Sequence, residues 1–177
     1  IRRDGEEMDI EMRREVIRIR SVKGVARDVE EPTKWNHWLD KDMGIGYARL
    51  NGFQGNTTED LYNTITELQA KGMKGFVLDL RGNPGGLLTA AHEVTSLFLP
   101  KNAPVVSTKG RLPGEDQALG AAFEGAGPFP TLPLVVLVDE HSASASEIVS
   151  GALLDNNRAT VIGQRTFGKF SVQNLIP

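Results

Sequence analysis

"KGFVLDLRGNPGGLLTAAHEVTSLFLP", residues 74–100, decides the fold class. "KGFVLDL" is a short apolar run of the kind that forms a strand buried on both faces. "RGNPGG" is a tight loop, with Gly82, Gly85 and Gly86 free to turn sharply or to approach another backbone closely. "LLTAAHEVTSLFL" has the length and spacing of a helix, stopped by Pro100. A buried strand, a glycine loop and a helix in succession is the repeating unit of α/β layered domains with parallel strands.

The same alternation extends in both directions. "GIGYARL" (44–50) reads as a strand. "TTEDLYNTITELQAKG" (57–72) reads as a helix capped by Thr57 or Thr58, with Leu61, Ile65 and Leu68 on one face and Gly72 at its end. Beyond Pro100, "PVVSTKG" is a strand, and residues 111–133 read as one long Gly/Pro-interrupted loop. "LVVLVD" is a strand, "ASEIVSGALLDN" a helix and "ATVIG" a strand. "KFSVQNLI" (169–176) is expected to be a last strand. Upstream, Asp4-Gly5 signals a hairpin. Met8, Ile10 and Met12 alternate with polar residues, and Val16, Ile17 and Ile19 suggest another short strand. Residues 23–43 are polar and irregular, a linker or excursion in which Trp35 and Trp38 serve as packing anchors.

Composition narrows the function classes. The chain has 177 residues, 40% of them hydrophobic, and a net charge of −3 with both signs mixed. That balance gives no reason to expect a nucleic-acid partner. No apolar run approaches the ~18 residues of a membrane span. The absence of cysteine excludes disulfides, thiolate metal sites and a cysteine nucleophile. The first residues already read as folded structure, which points to a start inside a longer protein.

In parallel sheets, sites gather where strands end and helices begin. Two such junctions are rich in small residues: "DLRGNPGG" (79–86) and "VDEHSASASE" (138–147). The glycine loop suits an oxyanion hole, or a plain strand-to-helix turn. A phosphate cradle fits less well, because no Lys-Ser/Thr follows and the spacing is not a dinucleotide fingerprint. In the second junction, Ser144 and Glu147 fit a helix-capping box. Ser144 is equally well placed as a nucleophile, with the N–H of Ala145 beside it. Candidate bases are His141 with Asp139 nearby, His92, His37 and Lys169. Lys169 lies between Phe167 and Phe170; apolar surroundings would make it a base, and the alternative is an exposed lysine on an edge strand. On a strand, Gln173 would share its face.

Taken together, "GIGYARL", "GFVLDLRGNPGGLL", "VTSLFLP", "SASASEIVSGAL", "RATVIGQRTFGK" and "SVQ" resemble the C-terminal processing, or tail-specific, proteases. These are serine peptidases with a Ser-Lys dyad. The resemblance covers most of residues 44–177, in order and in register. It implies that Ser144 is the nucleophile, Lys169 the base and Gln173 the group that orients it. The oxyanion hole would combine the N–H of Ala145 with that of Gly85 or Gly86. It also implies an α/β layered fold of the ClpP/crotonase type, with no metal or cofactor. Residues 1–22 would be the C-terminal remnant of a PDZ-like domain, 23–43 a linker, and 44–177 a protease core truncated at its C-terminal end. Partners would be proteins or peptides with exposed C-terminal tails, and an unpaired sheet edge would favour a homo-oligomer. The family suggests a bacterial envelope or periplasmic location. One departure stands out: Phe170 occupies the place where the family usually has glycine. Two other classes remain open, a non-catalytic peptide-binding relative and an acyl-CoA enzyme of the crotonase fold.

Overall fold

The computed structural model describes residues 2–3, 5–15, 20–110, 116–123, 125 and 127–171. Its main sheet is built on four parallel strands, Ile45–Leu50, Gly75–Asp79, Leu134–Val138 and Thr160–Gly163. They lie side by side in chain order. Each successive step is bridged by a helix: Thr57–Ala70, Leu88–Ser96 and Ala145–Asp155. Because the steps all run in one direction, right-handed crossovers put the three helices on one face of the sheet. The middle helix accordingly packs against both others.

In chain order the strands are β1 (Arg2–Arg3), β2 (Glu6–Glu7), β3 (Val22–Lys23), β4 (Ala26–Arg27), β5 (Trp35–Asn36), β6 (Trp38–Asp40), β7 (Ile45–Leu50), β8 (Gly75–Asp79), β9 (Pro104–Thr108), β10 (Gln117–Gly120), β11 (Leu134–Val138) and β12 (Thr160–Gly163). The helices are α1 (Thr57–Ala70), α2 (Leu88–Ser96) and α3 (Ala145–Asp155). Central strand β8 is buried along nearly its whole length, as its apolar run predicts. In β7 and β11 burial alternates, the mark of one packed face and one partly open face. Leu61, Ile65 and Leu68 of α1 are buried, matching their spacing. Each fully buried Leu or Phe contributes about 1.5–3 kcal/mol.

Several sequence expectations are corrected. The segment 23–43, read as a linker or excursion, contains short strands that the sequence did not signal. β3 and β6 both pair antiparallel with the free edge of β7, and β4 pairs with β5. Trp35 stacks under the Arg27 guanidinium, 4.0 Å from the ring centre, and Trp38 packs against the core. β10 lies inside the expected loop and pairs with β9. Met8, Ile10 and Met12, expected to alternate as a strand, are exposed and fall in no strand. The hairpin at Gly5 is present as β1 and β2. The expected strand at Val16–Ile19 lies outside the described residues. The last strand is absent from the part of 169–176 that is described. Among the described residues no helix is long and apolar enough to cross a membrane.

Candidate functional site

The carboxyl ends of the four parallel strands bring four loops together. The loop after β7 meets the glycine loop after β8: Phe53 N–H donates to Gly85 O (3.0 Å) and Leu87 N–H to Phe53 O (2.9 Å). The glycine loop meets the loop after β11, where Gly82 N–H donates to Asp139 Oδ1 (2.8 Å) and Ala143 N–H to Asn83 O (3.0 Å). The segment after β12 returns to the same place, and Phe167 N–H donates to Ser142 O (3.0 Å).

The three alternating serines have different fates. Ser142 and Ser146 are fully buried. Their hydroxyls donate to Leu80 O (2.8 Å) and Asn83 O (2.9 Å), clamping the start of α3 onto the glycine loop. Ser144, between them, is partly exposed. Its backbone has φ +55° and ψ −112°. An N-cap residue normally sits in the extended region with negative φ. Capping therefore does not explain this conformation, which costs a non-glycine residue about 1–3 kcal/mol. The capping box expected of Ser144 and Glu147 is nonetheless formed, with Ser144 N–H donating to Glu147 Oε2 (2.8 Å). A strained strand-to-helix turn that leaves one serine partly exposed has the backbone form of a G-x-S-x-G elbow, with Ser142 and Ser146 standing where that motif has its glycines.

The glycine loop lies directly on this elbow. A Cβ on Gly85 (φ +106°) would come 2.8 Å from Ala143 O, 2.9 Å from Ser144 Cβ and 3.0 Å from Ala145 N. A Cβ on Gly86 (φ +148°) would overlap the Phe53 carbonyl. Of the sequence-derived oxyanion donors, Gly85 N–H is already bonded to Asn83 Oδ1 (2.9 Å). Among the described residues, no hydrogen bond engages the N–H of Gly86 or of Ala145.

Lys169 reaches the site through its backbone. Its N–H donates to Glu147 Oε2 (2.9 Å), the oxygen that also holds Ser144 N–H. Glu147 Oε1 accepts from Thr166 Oγ1 (2.8 Å) and Gly168 N–H (2.7 Å). Burial alone would raise the Glu147 pKa. The hydrogen bonds from Thr166, Ser144, Gly168 and Lys169 outweigh it and hold the carboxyl below its ordinary range. The expected apolar nest around Lys169 is not found. Lys169 is exposed, as are Phe167 and Phe170, the last at 97%. The physical reason is that the described part of this segment spends its polar groups on Ser142 O and Glu147 and on no strand ladder. No hydrogen bond joins the Ser144 hydroxyl to the Lys169 amine among the described residues, and Gln173 lies outside them.

The histidines are placed elsewhere. The His141 side chain is 73% exposed, with Nε2 4.0 Å from Glu140 Oε1. Asp139 accepts the backbone N–H of His141 (3.0 Å), not its ring. His92 Nε2 bonds Gly120 O (2.7 Å) and His37 Nδ1 bonds Tyr47 O (3.0 Å). Burial pushes the His37 pKa down. No local Ser-His-Asp set is assembled. Sequence reading missed the root of the glycine loop. There the buried Asp79 accepts from Tyr47 Oη (2.7 Å) and from Arg81 Nε and Nη2 (2.9 and 2.7 Å). Burial and the hydrogen bond to Asp79 push Tyr47 up to about 12. Asp79 is itself held low: burial opposes its charge, but Arg81 and Tyr47 overcome that. Among the described residues no cluster of three or more acidic, histidine or cysteine side chains could hold a metal.

The fold and site define a mixed α/β domain with a serine elbow at the carboxyl end of a parallel sheet. The chain belongs to peptidase family S41, whose model matches residues 44–177. It is 41% identical over 160 residues to a carboxyl-terminal-processing protease of Picosynechococcus, covering 89% of this chain and 37% of that one. It is 42% identical over 178 residues to a carboxy-terminal-processing protease of Bartonella bacilliformis, covering 96% and 36%. Among solved structures it resembles the photosystem II D1 C-terminal processing protease, with a TM-score of 0.62 and 36% identity over 71% of this chain and 31% of that one. The chain thus spans a little over a third of the length of these curated relatives.

Proposed function

We propose that this chain carries the catalytic core of a serine endopeptidase that cuts polypeptides near their C-terminal tails. The observation that carries the reading is the Ser144 elbow: strained, partly exposed, and pressed against Gly85, where an added Cβ would force Ala143, Ser144 or Ala145 to shift. Strain of this kind persists where function requires it. The family supplies the reaction class, and its relatives' names supply the C-terminal processing.

In the proposed mechanism Lys169, as the neutral amine, takes the proton of Ser144 Oγ as the oxygen attacks the scissile carbonyl. The N–H groups of Ala145 and Gly86 receive the oxyanion. Collapse of the tetrahedral species breaks the C–N bond, and the lysine proton goes to the departing amine. Water, deprotonated by Lys169, then attacks the acyl carbon; the C–Oγ bond breaks and the lysine proton returns to Ser144 Oγ. Gln173 orients the lysine. We further assign the ClpP/crotonase-type fold to residues 44–177, a PDZ-like remnant to residues 1–22 and a connecting segment to 23–43. The outer edge of β12 would serve self-association, and the bacterial envelope is the proposed location.

A second reading, a peptide-binding relative without catalysis, is favoured by the exposure of Lys169 and Phe170. Cleavage of a peptide with a free apolar C-terminus separates the two. The endopeptidase reading predicts cleavage by the intact protein and none by Ser144→Ala. Binding without cleavage by both supports the second reading.

A further inference from the structure

We infer that Asn83 is the positioning residue that selects and aims both oxyanion donors. This rests on Ser144 being the nucleophile. Asn83 is wholly buried, and every polar group it has is engaged. Its Nδ2 donates to Leu50 O (2.9 Å), tying the glycine loop to the end of β7. Its Oδ1 accepts Gly85 N–H (2.9 Å). Its carbonyl accepts Ala143 N–H (3.0 Å) and the Ser146 hydroxyl (2.9 Å), fixing the first turn of α3. Its own N–H donates to Leu80 O (3.2 Å).

The amide can sit only one way round. Reversing it would face Oδ1 with the Leu50 carbonyl and Nδ2 with the Gly85 N–H, leaving both pairs repulsive. Pro84 follows, so residue 83 is also confined to extended backbone conformations. The side chain therefore turns the Gly85 N–H inward, away from a substrate. The next N–H, that of Gly86, is left unengaged, and Gly86 faces Phe53 through its neighbours' groups: Gly85 O and Leu87 N–H. The carbonyl of the same residue sets where α3 begins, and hence where Ala145 N–H points. One buried amide thus governs the two halves of the hole, Gly86 through its side chain and Ala145 through its main chain. An oxyanion hole works because its donors are fixed before the charge develops, and Asn83 supplies that fixity.

The test uses Asn83→Ala and Asn83→Asp in the intact protein, with rates expressed per folded molecule. Removing the amide should lower kcat on the order of 10²- to 10³-fold, the scale of losing one oxyanion donor. KM should stay within about threefold, because ground-state binding does not use the hole. Affinity for a peptide aldehyde, which forms a tetrahedral adduct on Ser144, should fall in parallel with kcat. Asn83→Asp keeps an acceptor for Gly85 but sets an oxygen against the Leu50 carbonyl, and should fall between wild type and Asn83→Ala. An unchanged kcat, or equal losses in kcat and in affinity for uncleaved peptide, overturns the role of Asn83. Should the variants not fold, amide exchange in the wild-type protein decides: Gly85 N–H should exchange slowly and Gly86 N–H fast, and the reverse order overturns the assignment. Wild-type protein that forms no aldehyde adduct at Ser144 overturns instead the peptidase reading beneath it.

Discussion

The nucleophile and the base of the proposed dyad are held by different means. Ser144 is built into the sheet. It follows a parallel strand of the main sheet, sits between two buried serines bonded to Leu80 O and Asn83 O, and opens a helix whose Val149 and Leu153 are in the core. Lys169 lies in an exposed segment tied to the site by the Glu147 carboxylate and by the bond from Phe167 N–H to Ser142 O. The first region is over-determined by packing, so it can store backbone strain. The second is positioned by a few hydrogen bonds at the surface, the kind of arrangement that opens locally at low cost. Catalytic readiness is therefore expected to be set by the lysine side, and stability by the serine side.

The sharpest way to break this contrast is Gly85→Ala. The added methyl group would meet Ala143 O, Ser144 Cβ and Ala145 N at 2.8–3.0 Å, from a backbone with φ +106°. We expect activity to fall about 10²-fold or more, as for a misaimed oxyanion donor. Stability should fall by about 1–3 kcal/mol. Peptidase assay and denaturant unfolding on the same sample would show it. A variant with native kcat would mean that the glycine loop does not serve the elbow.

Glu147→Gln should lower kcat about 10- to 100-fold through misplacement of Lys169, with a smaller loss of stability. The same carboxylate gives a pH signature. Its folded pKa lies below the ordinary 4.5. A depressed carboxyl contributes its full stabilisation above the unfolded value and loses it as pH falls through the folded one. Residues 166–169 should therefore loosen in acid while the sheet persists. Limited proteolysis or amide exchange of that segment between neutral pH and pH 3 would show loosening in wild type. Glu147→Gln should already be loose at neutral pH. Equal protection in both proteins would remove Glu147 from its role.

The smallest expected effect is that of Phe170→Gly on stability. The ring is 97% exposed, so unfolding should change by less than about 0.5 kcal/mol. A larger loss would mean that the ring is packed in solution. Peptide cleavage by the same variant asks a separate question, since a rise would show the ring obstructing substrate.

The parallel layers were legible because they depend on short-range signals. "GFVLDL", "LVVLVD" and the Leu61, Ile65, Leu68 stripe each state their own element. β3, β6 and β10 were not legible, because two- to four-residue strands exist only through the neighbour they pair with. At the candidate site, the motifs name Ser144, Lys169 and the two glycines as the residues to test. They do not show the strained φ of Ser144, nor the burial of Ser142 and Ser146, which share its residue type. Glu147 looked like a local cap. Its reach to residues 166–169 is a tertiary fact that i to i+3 spacing cannot express. The apolar surroundings considered for Lys169 assumed a strand, and its described neighbours Phe170 and Ser171 join no ladder.

The central claim, that Ser144 is a nucleophile activated by Lys169, is tested most directly by intact-mass and peptide mapping after reaction with a fluorophosphonate probe. The account predicts a single adduct, on Ser144, in the wild-type protein. Ser144→Ala should give none, and Lys169→Ala should react at least about 10²-fold more slowly while remaining folded. Labelling of another serine, or undiminished labelling of Ser144 in Lys169→Ala, would contradict it.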